Sequence, residues 1–153
     1  MENRLRGFEV VADEHRKTKG DVTLPLRGTK TAAGYDFVAT KSFVVPPFGK
    51  LYFWTDIKAY MQPDEYLSFK VRSSIGDKKD LMLTNTEGIV DSDYYNNPTN
   101  DGNMRIGLRN LSNNTVAIEK GERVVQAIFR KYLPSDNCNT ENERTGGFGS
   151  TGL

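Results

Sequence analysis

Leu67-Ser68-Phe69-Lys70-Val71-Arg72 is the stretch that decides the fold. Apolar side chains at 67, 69 and 71 alternate with polar ones at 68, 70 and 72, and a period of two belongs to a half-buried strand. The pattern recurs on both sides of it. Leu51 and Phe53 alternate with Tyr52 and Trp54, and Met104, Ile106 and Leu108 alternate with Arg105, Gly107 and Arg109. Val116 and Ile118 repeat it, and Val124-Val125-Gln126-Ala127-Ile128-Phe129 reads as a strand buried on both faces. Turn signals separate these runs at Pro46-Pro47, Pro63-Asp64, Asn113-Asn114 and Lys120-Gly121. Many short strands with frequent turns predict an all-β sandwich or jelly roll. A short helix is expected near Ser74–Lys79 and a polar loop over Asn96–Asn103. Residues 135–153 hold few core-forming side chains, so the expected division is a β domain over 1–134 and a flexible C-terminal arm over 135–153. No repeat or internal linker divides the chain further.

A chain of 153 residues suits one domain with a real core. Hydrophobic residues are 37% and charged residues 27%, and 21 basic against 20 acidic residues leave a net charge of +1. That balance gives no electrostatic case for nucleic acid or a membrane surface, so neither is expected as a partner. No run approaches the roughly 18 apolar residues of a membrane span. The start, Met1-Glu2-Asn3-Arg4, lacks a signal peptide's apolar core. A single cysteine, Cys138, cannot form an internal disulfide, which fits a reducing cytoplasm. With His15 as the one histidine, a zinc site of His and Cys ligands is excluded, and a catalytic histidine is disfavoured. Any metal must be held by oxygens, as magnesium is when a substrate's phosphates carry it.

Four internal segments and the tail could carry chemistry. Gly88-Ile89-Val90-Asp91-Ser92-Asp93-Tyr94 puts a carboxylate directly after an apolar strand, where Asp91 could orient and deprotonate a water. Arg72-Ser73-Ser74-Ile75-Gly76 offers a guanidinium and two hydroxyls at a strand end, a suitable grip for phosphate oxygens. Ala32-Ala33-Gly34-Tyr35-Asp36-Phe37 reads as a tight turn ending in an aspartate. Gln126 is the polar residue in an apolar run, and its amide must find backbone or ligand partners. Taken singly, each of these also reads as an ordinary turn or capped strand end. Arg144-Thr145-Gly146-Gly147-Phe148-Gly149-Ser150-Thr151-Gly152-Leu153 has little to pack with, and its glycines are costly to order. Alone it reads as a mobile tail; against a ligand, it offers an arginine for phosphate, an aromatic for a flat ring and open backbone for an anion.

Together, and in this order, the segments resemble the five motifs of the trimeric dUTPases (deoxyuridine 5′-triphosphate nucleotidohydrolases), from Leu24-Pro25-Leu26-Arg27-Gly28 to the end. The resemblance implies a dUTPase-like jelly roll of the β-clip type. It also implies hydrolysis of dUTP to dUMP and pyrophosphate, which limits uracil incorporation into DNA and supplies dUMP for dTMP synthesis. It assigns Asp91 to the attacking water and Arg72, Ser73, Ser74 and Gln126 to the phosphates. Arg144 falls to the terminal phosphate, with Gly149, Ser150 and Thr151 completing the phosphate contacts. Asn85 and the backbone of Gly88, Ile89 and Val90 would hold uracil, Tyr94 would pack on the deoxyribose and exclude a 2′-hydroxyl, and Phe148 would cover the base. Mg2+ would be bound mainly through the substrate's phosphates and water, with Asp36 nearby. A homotrimer sharing its active sites is implied, with a separate subunit's arm closing each site, in the cytoplasm or, for a virus or phage, the host's cytoplasm.

Two stretches depart from the family pattern. Arg144-Thr145-Gly146 is one residue shorter than usual, and Tyr95-Asn96-Asn97-Pro98-Thr99-Asn100-Asp101-Gly102 is longer, which predicts a surface loop. Two other classes compete with this reading. A dCTP deaminase would need an acid/base near C4 of cytosine, for which Glu87 is the candidate. A module that binds without catalysis would keep the fold alone.

Overall fold

The computed structural model describes residues 3–149. Twelve strands run β1 (Gly7–Val10), β2 (Leu26–Arg27), β3 (Tyr35–Val38), β4 (Phe43–Val45), β5 (Lys50–Trp54), β6 (Ile57–Tyr60), β7 (Glu65–Val71), β8 (Leu81–Leu83), β9 (Gly88–Asp91), β10 (Arg105–Asn110), β11 (Val116–Ile118) and β12 (Arg123–Lys131). One α-helix, α1 (Ser73–Lys79), and two short 3-10 turns, at Asp13–His15 and Ser92–Tyr94, complete the elements. The strands form four antiparallel sheets, in the orders β1-β6, β5-β10-β8, β11-β4 and β2-β3-β12-β7-β9.

The alternations carry through into burial. Leu67 and Phe69 of β7 face Phe37, Phe53, Leu83, Ile106, Leu108, Ile118, Val124 and Val125 in one core, all 3% exposed or less. Burying each such side chain stabilises by about 2 kcal/mol. Phe37 and Phe69 meet edge to face, with ring centroids 5.0 Å apart. In β12, Val124 and Val125 are both buried because the register against β3 shifts between Arg123 and Val125, and that bulge turns consecutive residues inward. Gln126, Ile128 and Phe129 are only half-buried, so β12 is not covered on both faces along its length.

Three expectations need correction. The expected turn at Ala32–Phe37 ends at Gly34, and Tyr35 opens β3, paired with β12 and β2. The expected helix begins at Ser73, with Arg72 in extended backbone at its cap and no serine hydroxyl capping it. The Tyr95–Gly102 stretch is not simply a surface loop. Asn96, Pro98 and Thr99 are exposed, but Asn97 is 4% exposed and Gly102 is buried, and the Asn97 amide donates to the Tyr94 carbonyl.

Candidate active site

Strand β9 and the Leu83–Asn85 turn leading into it from β8 make one wall of a cleft of about 370 Å3, a size suited to a small ligand. Its lining brings together Asn85, Gly88, Ile89, Val90, Asp91 and Tyr94, with Arg144, Gly147 and Phe148 of the tail across from them. Strand β9 is at the edge of its sheet, paired on one side with β7. Alternate residues of an edge strand turn backbone N–H and C=O groups outward, and such groups can match both donors and acceptors of a planar base. Gly88 lies so close to β7 that a Cβ there would approach Cβ of Phe69 to 2.9 Å.

Asp91 ends β9 and opens the 3-10 turn Ser92–Tyr94, which holds its side chain 54% exposed at the cleft mouth. Arg144 reaches it: Nη2 lies 2.6 Å from Asp91 Oδ2, while Nε lies 2.6 Å from Asp93 Oδ1. Tyr94 is 8% exposed. Its hydroxyl donates to the carbonyl of Asn103 at 2.7 Å and accepts from Asn100 Nδ2 at 2.8 Å. Burial pushes the Tyr94 phenol above its ordinary value, against the Asn100 hydrogen bond, so it stays neutral at neutral pH. Gly147 packs on this ring, where a Cβ would fall 2.5 Å from Cε2.

Sequence reasoning passed over Arg105, which looked like an outward residue of β10. Its guanidinium lies 4.5 Å from the centroid of the Tyr52 ring and 4.2 Å from that of Phe148, a cation between two aromatic faces. Arg105 Nε is buried without a hydrogen-bond partner among the described residues, so it is a donor left for a ligand oxygen. The outward face of β10 is the cleft's own wall, and alternation cannot tell a wall from solvent. Phe148 also meets Trp54 edge-on at 5.9 Å and remains 61% exposed. Asp93, Asn100 and Gly147 were likewise not singled out.

The remaining site candidates lie elsewhere. Arg72, Ser73, Ser74, Gln126 and Asp36 do not line the cleft. Asp36, Gln126 and Lys70 stand in register across β3, β12 and β7. Arg72 Nε sits 3.0 Å from Asp36 Oδ1, and Arg123 Nη1 sits 3.3 Å from Oδ2. Gly34 is needed there, since a Cβ would fall 2.4 Å from Gln126 Oε1. Asp91 pairs with Tyr66, six strand residues before Arg72, a separation of about 20 Å along β7. Ser150 and Thr151 lie outside the described residues, and Gly149 follows Phe148 with a positive φ of 90°.

Glu87 does not line the cleft. It accepts from the Ser68 hydroxyl at 2.5 Å and pairs with Lys70 at 3.4 Å. The Ser68 bond, opposed by burial and helped by Lys70, holds its carboxyl below the usual range, the reverse of what a general acid needs. Among the described residues no group of three or more His, Cys, Asp and Glu side chains could hold a metal, and no helix is long and apolar enough to cross a membrane.

Fold and cleft together define a jelly-roll-like β protein with an edge-strand pocket able to hold a nucleoside. A family profile described as dUTPase matches residues 20–152. A deoxyuridine 5′-triphosphate nucleotidohydrolase of Lactococcus lactis subsp. lactis is 44% identical over 151 residues, covering 97% of this chain and 99% of the relative. The crystal structure of dUTPase from Streptococcus mutans superposes with a TM-score of 0.73 at 40% identity, covering 86% of this chain and 99% of that one. A mutant dUTPase from phage phi11 of S. aureus, whose structure describes the coordination of a structural Mg(II) ion, shares the fold at 17% identity, with a TM-score of 0.68 and coverage of 90% and 97%. The chain belongs to the dUTPase family.

Proposed function

We propose that this chain hydrolyses dUTP to dUMP and pyrophosphate, with the base held in the β8–β9 cleft and the attacking water held by Asp91. The observation that carries the reading is the convergence of the edge of β9, Asn85, Tyr94 and Asp91 on one nucleoside-sized cleft in a dUTPase-family chain. Uracil's edge is matched by the outward backbone groups of Gly88, Ile89 and Val90 with Asn85. Cytosine would leave such groups unpaired, which costs about 10⁴-fold where a site is built for those bonds. The ring of Tyr94 takes the place of a ribose 2′-hydroxyl, and Phe148 covers the base. Asp91 accepts the proton of a water aligned on the α-phosphorus. Arg144 bridges Asp91 and Asp93 in the structure. A bound triphosphate offers its guanidinium stronger acceptors in the terminal phosphate, which frees Asp91 for the water. Residues 144–153 thus work as a closing arm on the β domain, with Gly149, Ser150 and Thr151 adding phosphate contacts.

Magnesium fits this donor set as an ion carried by the substrate. Asp36, the nearby carboxylate the resemblance singles out, is already shared by Arg72 and Arg123, so phosphate oxygens and water would supply most ligands. When bound, the ion neutralises charge on the pyrophosphate leaving group. Exposed Cys138, free as a thiol, suits a reducing compartment such as the cytoplasm.

The phosphate grip and the cleft of one chain are too far apart to hold one dUTP. Arg72 is turned toward Asp36 on β3, three strands from β9 in the sheet order. A homotrimer that sets Arg72, Ser73, Ser74 and Gln126 of one subunit beside the cleft of the next resolves this. In the structure the arm lies on its own chain's cleft, where the resemblance implied a neighbour's arm. Subunit mixing tests the shared site. Asp91→Asn and Arg72→Ala should each lower turnover by about 100-fold or more. Refolded together, they should recover about a quarter of wild-type turnover, because some mixed sites escape both lesions. No recovery on mixing would contradict a site shared in this way.

A further inference from the structure

We propose that the Asn97–Asn103 loop is a specificity device: it fixes the Tyr94 ring at the sugar position, and Asn100 is the positioning residue that does so. This rests on the reading of Tyr94 as the gate against a 2′-hydroxyl.

The loop grips Tyr94 at both ends. At the phenol, Asn100 Nδ2 donates to the hydroxyl at 2.8 Å, and the hydroxyl donates to the Asn103 carbonyl at 2.7 Å. At the backbone, Asn97 Nδ2 donates to the Tyr94 carbonyl at 2.8 Å. The two grips are tied together, since Asn97 Nδ2 also donates to Asn100 Oδ1 at 2.7 Å. Asn97 Oδ1 accepts from the N–H groups of Thr99 and Asn100, and Asn100 Oδ1 accepts from Gly102 N–H at 3.1 Å. The far end of the loop is pinned to the body, with Asn103 Nδ2 2.9 Å from Asp56 and Lys58 Nζ 2.9 Å from Asp101.

A tyrosine anchored only at its backbone swings about χ1 and χ2 between staggered wells. A phenol held by two hydrogen bonds in a connected, partly buried network cannot swing without breaking both. Discrimination by shape needs such rigidity, because a ring free to yield by an ångström admits the extra hydroxyl. The polar, helix-free loop is long because it must reach the phenol and return to the start of β10.

The test compares kcat/KM for dUTP and UTP across variants. Asn100→Asp keeps the acceptor used by Gly102 and Asn97 but loses the donor to the phenol. Tyr94→Phe keeps the ring and loses the hydroxyl. Each should relax the preference for dUTP by about five- to tenfold, as expected for loss of a hydrogen bond that fixes the phenol, and through faster turnover of UTP. The double variant should relax it no further than Tyr94→Phe alone. Tyr94→Ala removes the ring and tests the gate itself: an unchanged preference there would reject the gate reading and the loop's role with it. If Tyr94→Ala relaxes the preference while Asn100→Asp and Tyr94→Phe keep the wild-type ratio, the gate stands and the loop's role is overturned. Should Asn100→Asp fail to fold, Tyr94→Phe decides between these outcomes.

Discussion

Asp56 is fully buried and adopts a left-handed backbone with φ of 57°. Burial pushes its carboxyl up, and the Thr18 hydroxyl, the N–H groups of Lys17 and Thr18, and Asn103 Nδ2 hold it below its ordinary 3.8. Its charged form therefore contributes stability that is complete above pH 3.8 and is lost as the pH falls through its lowered folded value. Asn tolerates the same φ but presents an NH2 group to donors. Asp56→Asn should destabilise the protein by about 2 kcal/mol at neutral pH, seen as a Tm lower by roughly 4 °C. Thermal unfolding should show the gap narrowing as the pH is taken below 3.8, and a gap that stays constant into acid would contradict the assignment. Nothing local marks this aspartate in the sequence, because its partners lie 38 and 47 positions away. Asp91 is the opposite case: an aspartate directly after the apolar run Gly88–Val90 is visible without a structure, and so was its place at a mouth.

Strands long enough to alternate were legible, and of the short ones β11 was legible from Val116 and Ile118 while others were not. Strands β7 and β10 carry several alternations each, whereas β2, β4 and β8 span two or three residues and show one at most. The Asn96–Asn103 segment was legible as a polar loop, but its inward contacts were not, since they come from amide hydrogen bonds and have no period. The tail's glycines were legible as open backbone for an anion; the packing of Gly147 on the Tyr94 ring was not foreseen. What the tail docks against was not legible, since Thr99 binds the carbonyl of Thr145 from across the chain. Gly147→Ala puts a methyl into the Tyr94 ring and should lift the arm. The expected result is a fall in kcat/KM for dUTP of about tenfold, corresponding to roughly 1.4 kcal/mol, with Tm little changed because residue 147 belongs to no strand of the sheets. Steady-state kinetics beside a thermal melt checks both halves, and full activity would show that the arm does not close over Tyr94.

Across the whole molecule, charge, apolar surface and site geometry point the same way. The chain is near neutral, with 21 basic against 20 acidic residues; Arg72 with Arg123 around Asp36, and Arg144 at the cleft mouth, are the cations placed to suit phosphate in the proposed reading. Leu26, Val44, Phe48, Ile89 and Leu133 are each more than half exposed, the kind of surface that association between subunits would cover. The jelly-roll-like fold was foreshadowed by the motifs in order, whereas the expected hairpin around Asn85–Tyr94 was not met, because β8 pairs with β10 and β9 with β7. The separation of Arg72, Ser73, Ser74 and Gln126 from the cleft appeared only with strand order and register, because sequence proximity does not give sheet position. Pyrophosphate release measured with magnesium across dUTP, dCTP, dTTP and UTP tests the proposed reaction most directly. Release from dUTP should exceed that from dCTP by about 10⁴-fold, with dTTP and UTP also poor substrates. Comparable release from all four, or dUTP appearing as the product from dCTP, would contradict it.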